Sequence, residues 1–151
     1  MLRSGAPLPS LDGATRWLNG EVAPGDLRGH PVFVQLWAIS CHLCKDNQPT
    51  VRQWRAQYGD RGVTFVSIHM PRQASDTRVD DVEAAARALG IDEPLAIDSE
   101  HVLGDRFETD GIWPVYFLFD SDGKLRARAA GAAGLGVLGA ALERIAPAPA
   151  A

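Results

Sequence analysis

The apolar run Val32-Phe33-Val34-Gln35-Leu36-Trp37-Ala38, followed at once by Cys41-His42-Leu43-Cys44, constrains this chain more than any other feature. A run broken only by Gln35 reads as a central strand covered on both faces. A helix is expected to follow it, with Ser40 as N-cap. The 2 cysteines are the whole thiol content of the 151 residues, and they sit one helical turn apart. A strand that delivers two thiols to a helix start is the layout of a dithiol–disulfide exchange site. The first thiol gains from the unpaired N–H groups and dipole of the helix N-terminus. The second lies close enough to close a disulfide.

Composition narrows the alternatives. A hydrophobic content of 46% and a charged content of 23% describe an ordinary globular chain. The net charge of −4 and the lack of a basic stripe argue against a nucleic-acid footprint. No apolar run approaches the ~18 residues of a membrane span, so no membrane insertion is expected. Met1 to Pro7 lacks an apolar leader, which gives a cytoplasmic expectation for the sequence as written. A periplasmic or other extracytoplasmic site is the alternative if a leader or anchor was removed. Two cysteines make neither a disulfide framework nor a closed four-ligand zinc site. His30, His42, His69 and His101 are too scattered to complete one. No metal and no organic cofactor is expected.

Periodicity and punctuation give the order β-α-β-α-β-α-β-β-α, a mixed sheet with helices on both faces. Residues 1–19 read as an extended N-terminal segment, 20–145 as the domain and 146–151 as a disordered tail. The active-site helix is expected to run from Ser40 to about Tyr58, with Pro49 inside it. Strands are expected at 63–68, 95–97 and 115–119, the last turning through Asp120-Ser121-Asp122-Gly123 into 124–130. Helices are expected over 79–89, 101–107 and 135–145.

These residues carry a family likeness. Trp37-Ala38-Ile39-Ser40-Cys41-His42-Leu43-Cys44-Lys45, then Pro49, resembles the W-A-x-x-C-x-x-C-K-x-x-x-P signature of the thioredoxin fold. Trp113-Pro114 before a strand, then Asp122-Gly123-Lys124, resembles its second half. The insert between them resembles the TlpA-like redoxin branch of thiol–disulfide oxidoreductases. Ile68-His69-Met70-Pro71 and Trp113-Pro114 look most like the domains of DipZ-type and NHL-repeat proteins.

The resemblance implies roles. Cys41 is the expected nucleophile and Cys44 the resolving thiol. His42 and Leu43, between them, would tune the potential; a protonated His42 would favour the thiolate, and the alternative is a solvated ring without redox effect. Pro114 matches the family's cis-proline, and Trp113 before it would offer its backbone to a substrate strand. Trp37 would pack under the active-site helix. Gln35 departs from the buried acid that many thioredoxins carry there, and an amide accepts no proton at neutral pH. His69, at the end of the second strand, is either a substitute proton carrier or a satisfied surface histidine.

The leading expectation is thiol–disulfide exchange with protein or peptide partners and an upstream redox donor, in a monomer. A peroxiredoxin-like peroxidase is the second enzyme reading. Its P-x-x-x-[ST]-x-x-C pattern is unmet, because Val34 and Ala38 stand at the corresponding positions. A redox-sensing binding module without turnover is the non-enzymatic alternative. The C-x-x-x-C spacing of copper carriers is absent.

Overall fold

The computed structural model describes residues 1–149. Its strands are β1 (Arg16–Leu18), β2 (Val32–Trp37), β3 (Thr64–His69), β4 (Leu95–Ile97), β5 (Val115–Phe119) and β6 (Leu125–Ala130). Its helices are α1 (Pro24–Leu27), α2 (His42–Gly59), α3 (Val79–Leu89), α4 (Val102–Arg106) and α5 (Gly136–Ile145). The strands form one 6-stranded sheet in the order β1-β4-β3-β2-β5-β6. β2, β3 and β4 run parallel, each joined to the next by a helical crossover, whereas β5, β6 and β1 pair antiparallel.

Alternation along β2 assigns the two faces. Val32, Val34 and Leu36 join Leu103 and Phe107 around α4, together with Leu2, Leu11 and Val22 of the N-terminal arm. Phe33 points the other way, into a cluster with Val51 and Tyr58 of α2 and Leu138, Ala141 and Leu142 of α5. Trp37, on that same face, joins Cys41, Cys44 and the α3 residues Val82 and Ala86 in a third cluster. The sheet therefore carries helices on both faces, and the thiols sit where β2 hands over to α2. α3 stops at Gly90, whose φ of 72° is the left-handed cap that glycine adopts without a Cβ penalty.

The N-terminal arm is tied to the domain. Leu2 and Leu11 are buried, Pro7 bridges to Lys124, and Arg16–Leu18 adds the edge strand β1 beside β4. That strand and the short α1 are elements the periodicity does not reveal. At the other end Ala146 is buried, and the Arg61 guanidinium donates to the Pro147 carbonyl at 2.8 Å. The rest of the expected tail includes residues 150–151, which lie outside the described residues.

Candidate active site

Cys41 and Cys44 form a disulfide with their Cα atoms 5.2 Å apart. The α2 N-cap is Cys41, not Ser40 as the sequence suggests. The Cys41 Sγ accepts from the Cys44 N–H at 3.1 Å, doing what a serine oxygen does elsewhere. Ser40 is engaged by a distant group instead: its Oγ donates to the Asp76 carboxylate at 2.7 Å. Cys41 is only 2% exposed and Cys44 is fully buried.

The flanking residues divide by exposure. The His42 side chain is 87% exposed, and its Nε2 lies 3.4 Å from Asp46, one turn along the helix. Leu43 is 38% exposed, an apolar face beside the disulfide. Lys45 is exposed as well. Trp37 is fully buried and meets the His69 ring edge-on at 4.9 Å between centroids. The Trp113–Pro114 bond is cis. The Trp113 ring packs against the cluster that holds both cysteines, and its Nε1 donates to the Met70 carbonyl at 2.7 Å.

His69 is not at the surface, which corrects the satisfied-surface reading: it is fully buried under the site. The β2–β3 register pairs it with Trp37, so both side chains enter the layer beneath α2. Its Nε2 accepts from the Ile39 N–H at 3.2 Å, which assigns the ring proton to Nδ1. Burial pushes its pKa down to about 4, against a smaller upward pull from Asp76. The ring is therefore neutral at neutral pH and serves as an acceptor for the segment leading into Cys41. Burial alone would raise the Asp76 carboxyl. Hydrogen bonds from Ser40 Oγ and the Arg72 and Gln73 N–H groups outweigh it and hold the carboxyl below its ordinary value. Asp76 and His69 thus clamp Ser40 and Ile39 from one side.

A pH dependence of stability follows. The folded His69 titrates near 4 and the unfolded one near 6.5, so the unfolded chain binds the extra proton between those values. Stability is full above pH 6.5 and falls as pH drops toward 4, by about 3 kcal/mol at one unit per 1.36 kcal/mol. The depressed Asp76 acts in a lower window, below its unfolded value of 3.8. Urea unfolding across pH 4–7 should show the His69 loss in the wild type and not in His69→Gln. A flat wild-type profile contradicts the assignment.

Gln35 lies at the centre of a buried polar chain. β-register places it opposite Ser67. Its Nε2 donates to Ser67 Oγ at 2.7 Å and to Glu93 Oε2 at 2.8 Å. Ser67 Oγ also donates to Glu93 Oε2, at 2.7 Å. The other Glu93 oxygen meets the Arg55 guanidinium at 2.6 Å, and Arg55 reaches on to Asp92 and the Gly90 carbonyl. On the near side, Gln48 Nε2 donates to Gln35 Oε1 at 2.8 Å. Thus Gln35 is hydrogen-bonded to a buried carboxylate, Glu93, on the loop before β4. Sequence reasoning singled out neither Glu93, Asp76 nor Gln48. Only Gln48 leaves a local signal: a polar residue at i+4 from Cys44, on the face that the helical period assigns to the core.

Among the described residues no group of three or more His, Cys, Asp or Glu is arranged to hold a metal ion. No helix among them is long and apolar enough to cross a membrane.

A mixed sheet whose central strand feeds a CxxC helix, with a cis-proline opening the neighbouring strand β5, defines a thioredoxin-like thiol–disulfide oxidoreductase. The chain belongs to the AhpC/TSA family, which matches residues 5–128. It is 39% identical over 140 residues to the thiol-disulfide oxidoreductase YkuV of Bacillus subtilis, covering 92% of this chain and 93% of the relative. It is 33% identical over 132 residues to the protein DipZ of Mycobacterium tuberculosis, covering 83% of this chain but 18% of that much longer protein. Among solved structures, a thioredoxin-like protein in its oxidised form superposes with a TM-score of 0.83 at 38% identity, covering 93% of this chain and 95% of its own. A thiol-disulfide isomerase from Corynebacterium glutamicum shares the fold, with a TM-score of 0.81 at 24% identity and coverages of 93% and 96%. The TlpA-like redoxin resemblance and the oxidoreductase expectation stand on these likenesses.

Proposed function

We propose that Cys41 is the sulfur through which protein substrates enter and that Cys44 resolves the intermediate. The observation that carries this is the N-cap geometry. Cys41 Sγ faces the first turn of α2 and already accepts the Cys44 N–H, so a thiolate released there is met by a backbone donor and the helix dipole. In the reducing direction the Cys41 thiolate attacks a substrate disulfide. One substrate sulfur leaves as a thiolate and takes a proton, and a mixed disulfide remains. The Cys44 thiol then loses its proton and attacks Cys41 Sγ. The second substrate thiol departs and the Cys41–Cys44 disulfide closes, two electrons having passed to the substrate. Run backwards, the same steps oxidise a dithiol. The potential of the pair against its compartment sets the direction, and an upstream dithiol donor or acceptor resets it.

The surroundings support a protein or peptide substrate. Leu43 and Ile112 are two of the three large hydrophobic side chains exposed among the described residues. One lies within the CxxC and the other beside Trp113, where an extended substrate would add as a strand along the Trp113 backbone. His42 is exposed and lies 3.4 Å from Asp46, so in this reading solvent and that carboxylate screen its pull on the Cys41 thiolate. The chain works as a monomer in this reading, with no cofactor beyond its own sulfurs.

The Trp113 ring is held by the Met70 carbonyl and packs against the cluster that contains the nearly closed disulfide; in this reading it acts as a shutter over the pair. Trp113→Ala should speed reduction of the wild-type pair by a small thiol by about threefold or more, through easier access, while weakening use of a protein substrate. An unchanged or slower small-thiol rate contradicts the shutter. The function itself is tested by insulin reduction with dithiothreitol as electron source. The protein should accelerate it. A disulfide that opens and closes without accelerating it would favour a redox-sensing module.

A further inference from the structure

Gln48 occupies the buried face of α2 one turn after Cys44, and it is 2% exposed. Its Nε2 has a partner, but no protein group donates to its Oε1. The polarity of the chain behind it explains why. Glu93 offers only acceptors to Gln35, so the Gln35 amide must turn its Nε2 toward Glu93 and Ser67. Its Oε1 then faces Gln48, which must turn its own Nε2 inward. A flipped amide at either position would set oxygen against oxygen. The paired Glu93 carboxylate thus fixes two amides in series and leaves one acceptor at the far end.

Gln48 itself stands one helical turn from the resolving cysteine. Residues at i and i+4 are neighbours on a helix, about 5–6 Å apart at Cβ, and the longer side chain leans back over the earlier turn. Cys44 and Gln48 share the buried face of α2 in this relation. In the closed disulfide Cys44 has no hydrogen to give. Reduction by a dithiol breaks the Sγ–Sγ bond, delivers two electrons and two protons, and leaves the donor oxidised to its own disulfide. Cys44 then carries an S–H.

We propose that Gln48 is a positioning residue for the resolving sulfur, its Oε1 accepting the Cys44 S–H in the reduced protein and thereby favouring the dithiol form. The acceptor carries a desolvation cost in the oxidised form and gains a donor on reduction, so the disulfide is easier to reduce than it would be above an apolar side chain. The bond also holds Cys44 as a thiol until the mixed disulfide at Cys41 calls on it, because hydrogen bonding to the neutral form disfavours the charged one. The inference rests on the redox cycling of Cys41 and Cys44 described above.

The test is the equilibrium of the pair with glutathione in wild type and Gln48→Met, a near-isosteric change without an acceptor. The reduced fraction should fall, the equilibrium constant moving by about threefold to tenfold toward the disulfide. Tenfold corresponds to about 30 mV more negative for a two-electron couple. Gln48→Met also strips Gln35 of its donor, and that structural loss lowers the unfolding free energy of both redox forms alike, leaving the equilibrium where it was. A second measurement keeps Gln48 in place. In reduced Cys41→Ser protein, the infrared S–H band of Cys44 should lie below that of a solvated cysteine thiol. A wild-type pair that never forms a reversible disulfide overturns both this inference and the proposed function. A reversible pair with an equilibrium unmoved by Gln48→Met, or an unshifted S–H band with an ordered water on Oε1, overturns this inference alone.

Discussion

Cys41→Ser should abolish turnover, lowering it by at least about a thousandfold, whereas Cys44→Ser should stop the reaction one step later with substrate still attached. The difference follows from the positions of the two sulfurs. Cys41 Sγ is the N-cap group of α2 and Cys44 lies wholly buried behind it. Without Cys41 no sulfur at the helix N-terminus attacks. Without Cys44 the attack succeeds and nothing resolves it. Residues acting as one unit lose nearly everything when either is removed, so the double variant should be no worse than the single ones. Mass spectrometry of reduced Cys44→Ser mixed with a disulfide-bonded peptide should find the mixed disulfide at Cys41. Accumulation on Cys44 in Cys41→Ser, with none in Cys44→Ser, would reverse the roles.

The second large effect is on stability. Glu93→Ala should cost about 3 kcal/mol, read from the urea midpoint. The Glu93 side chain is 3% exposed and accepts from Gln35, Ser67 and Arg55, whose own side chain is 16% exposed. Breaking a buried charged pair by removing one partner costs about 3–5 kcal/mol, and the lower end applies because Arg55 keeps Asp92 and the Gly90 carbonyl. Glu93→Gln keeps an acceptor oxygen and should lose roughly 1 kcal/mol. A loss below about 1 kcal/mol in Glu93→Ala would show that the polar chain is not a structural unit. The two variants also bear on the site, because Glu93 sets the amide polarity that ends at Gln48.

The parts of the fold that could be read in advance are those with local causes. β2 and β5 announce themselves as apolar runs, and α3 ends at Gly90 because only a left-handed cap fits there. The CxxC and the cis-proline partner were legible because one is adjacent to β2 and the other carries the family likeness. The edge strand β1 was not. It has 3 residues, and its stability comes from pairing with β4, about eighty residues away in sequence. The sequence points to an N-cap one residue early, because Ser40 is a better cap by type than Cys41. What decided the matter was Asp76, which takes the Ser40 hydroxyl and is 36 positions distant. His69 looked like a strand end near solvent, yet α2 and the loop at 38–40 cover it. Glu93 stands 58 residues from Gln35, and only the β2–β3–β4 order brings them together. The amide at Gln35 is therefore visible in the sequence, while the carboxylate it is paired with is not.

The most direct test of the account is the redox midpoint of the Cys41–Cys44 pair in the wild type, taken by equilibration in graded glutathione and dithiothreitol buffers with the thiols counted by mass. The account predicts one reversible two-electron transition between about −270 and −120 mV, the range spanned by thioredoxin-fold reductants and oxidants. A pair that forms no reversible disulfide in any buffer, or that stays closed in excess dithiothreitol, would contradict it.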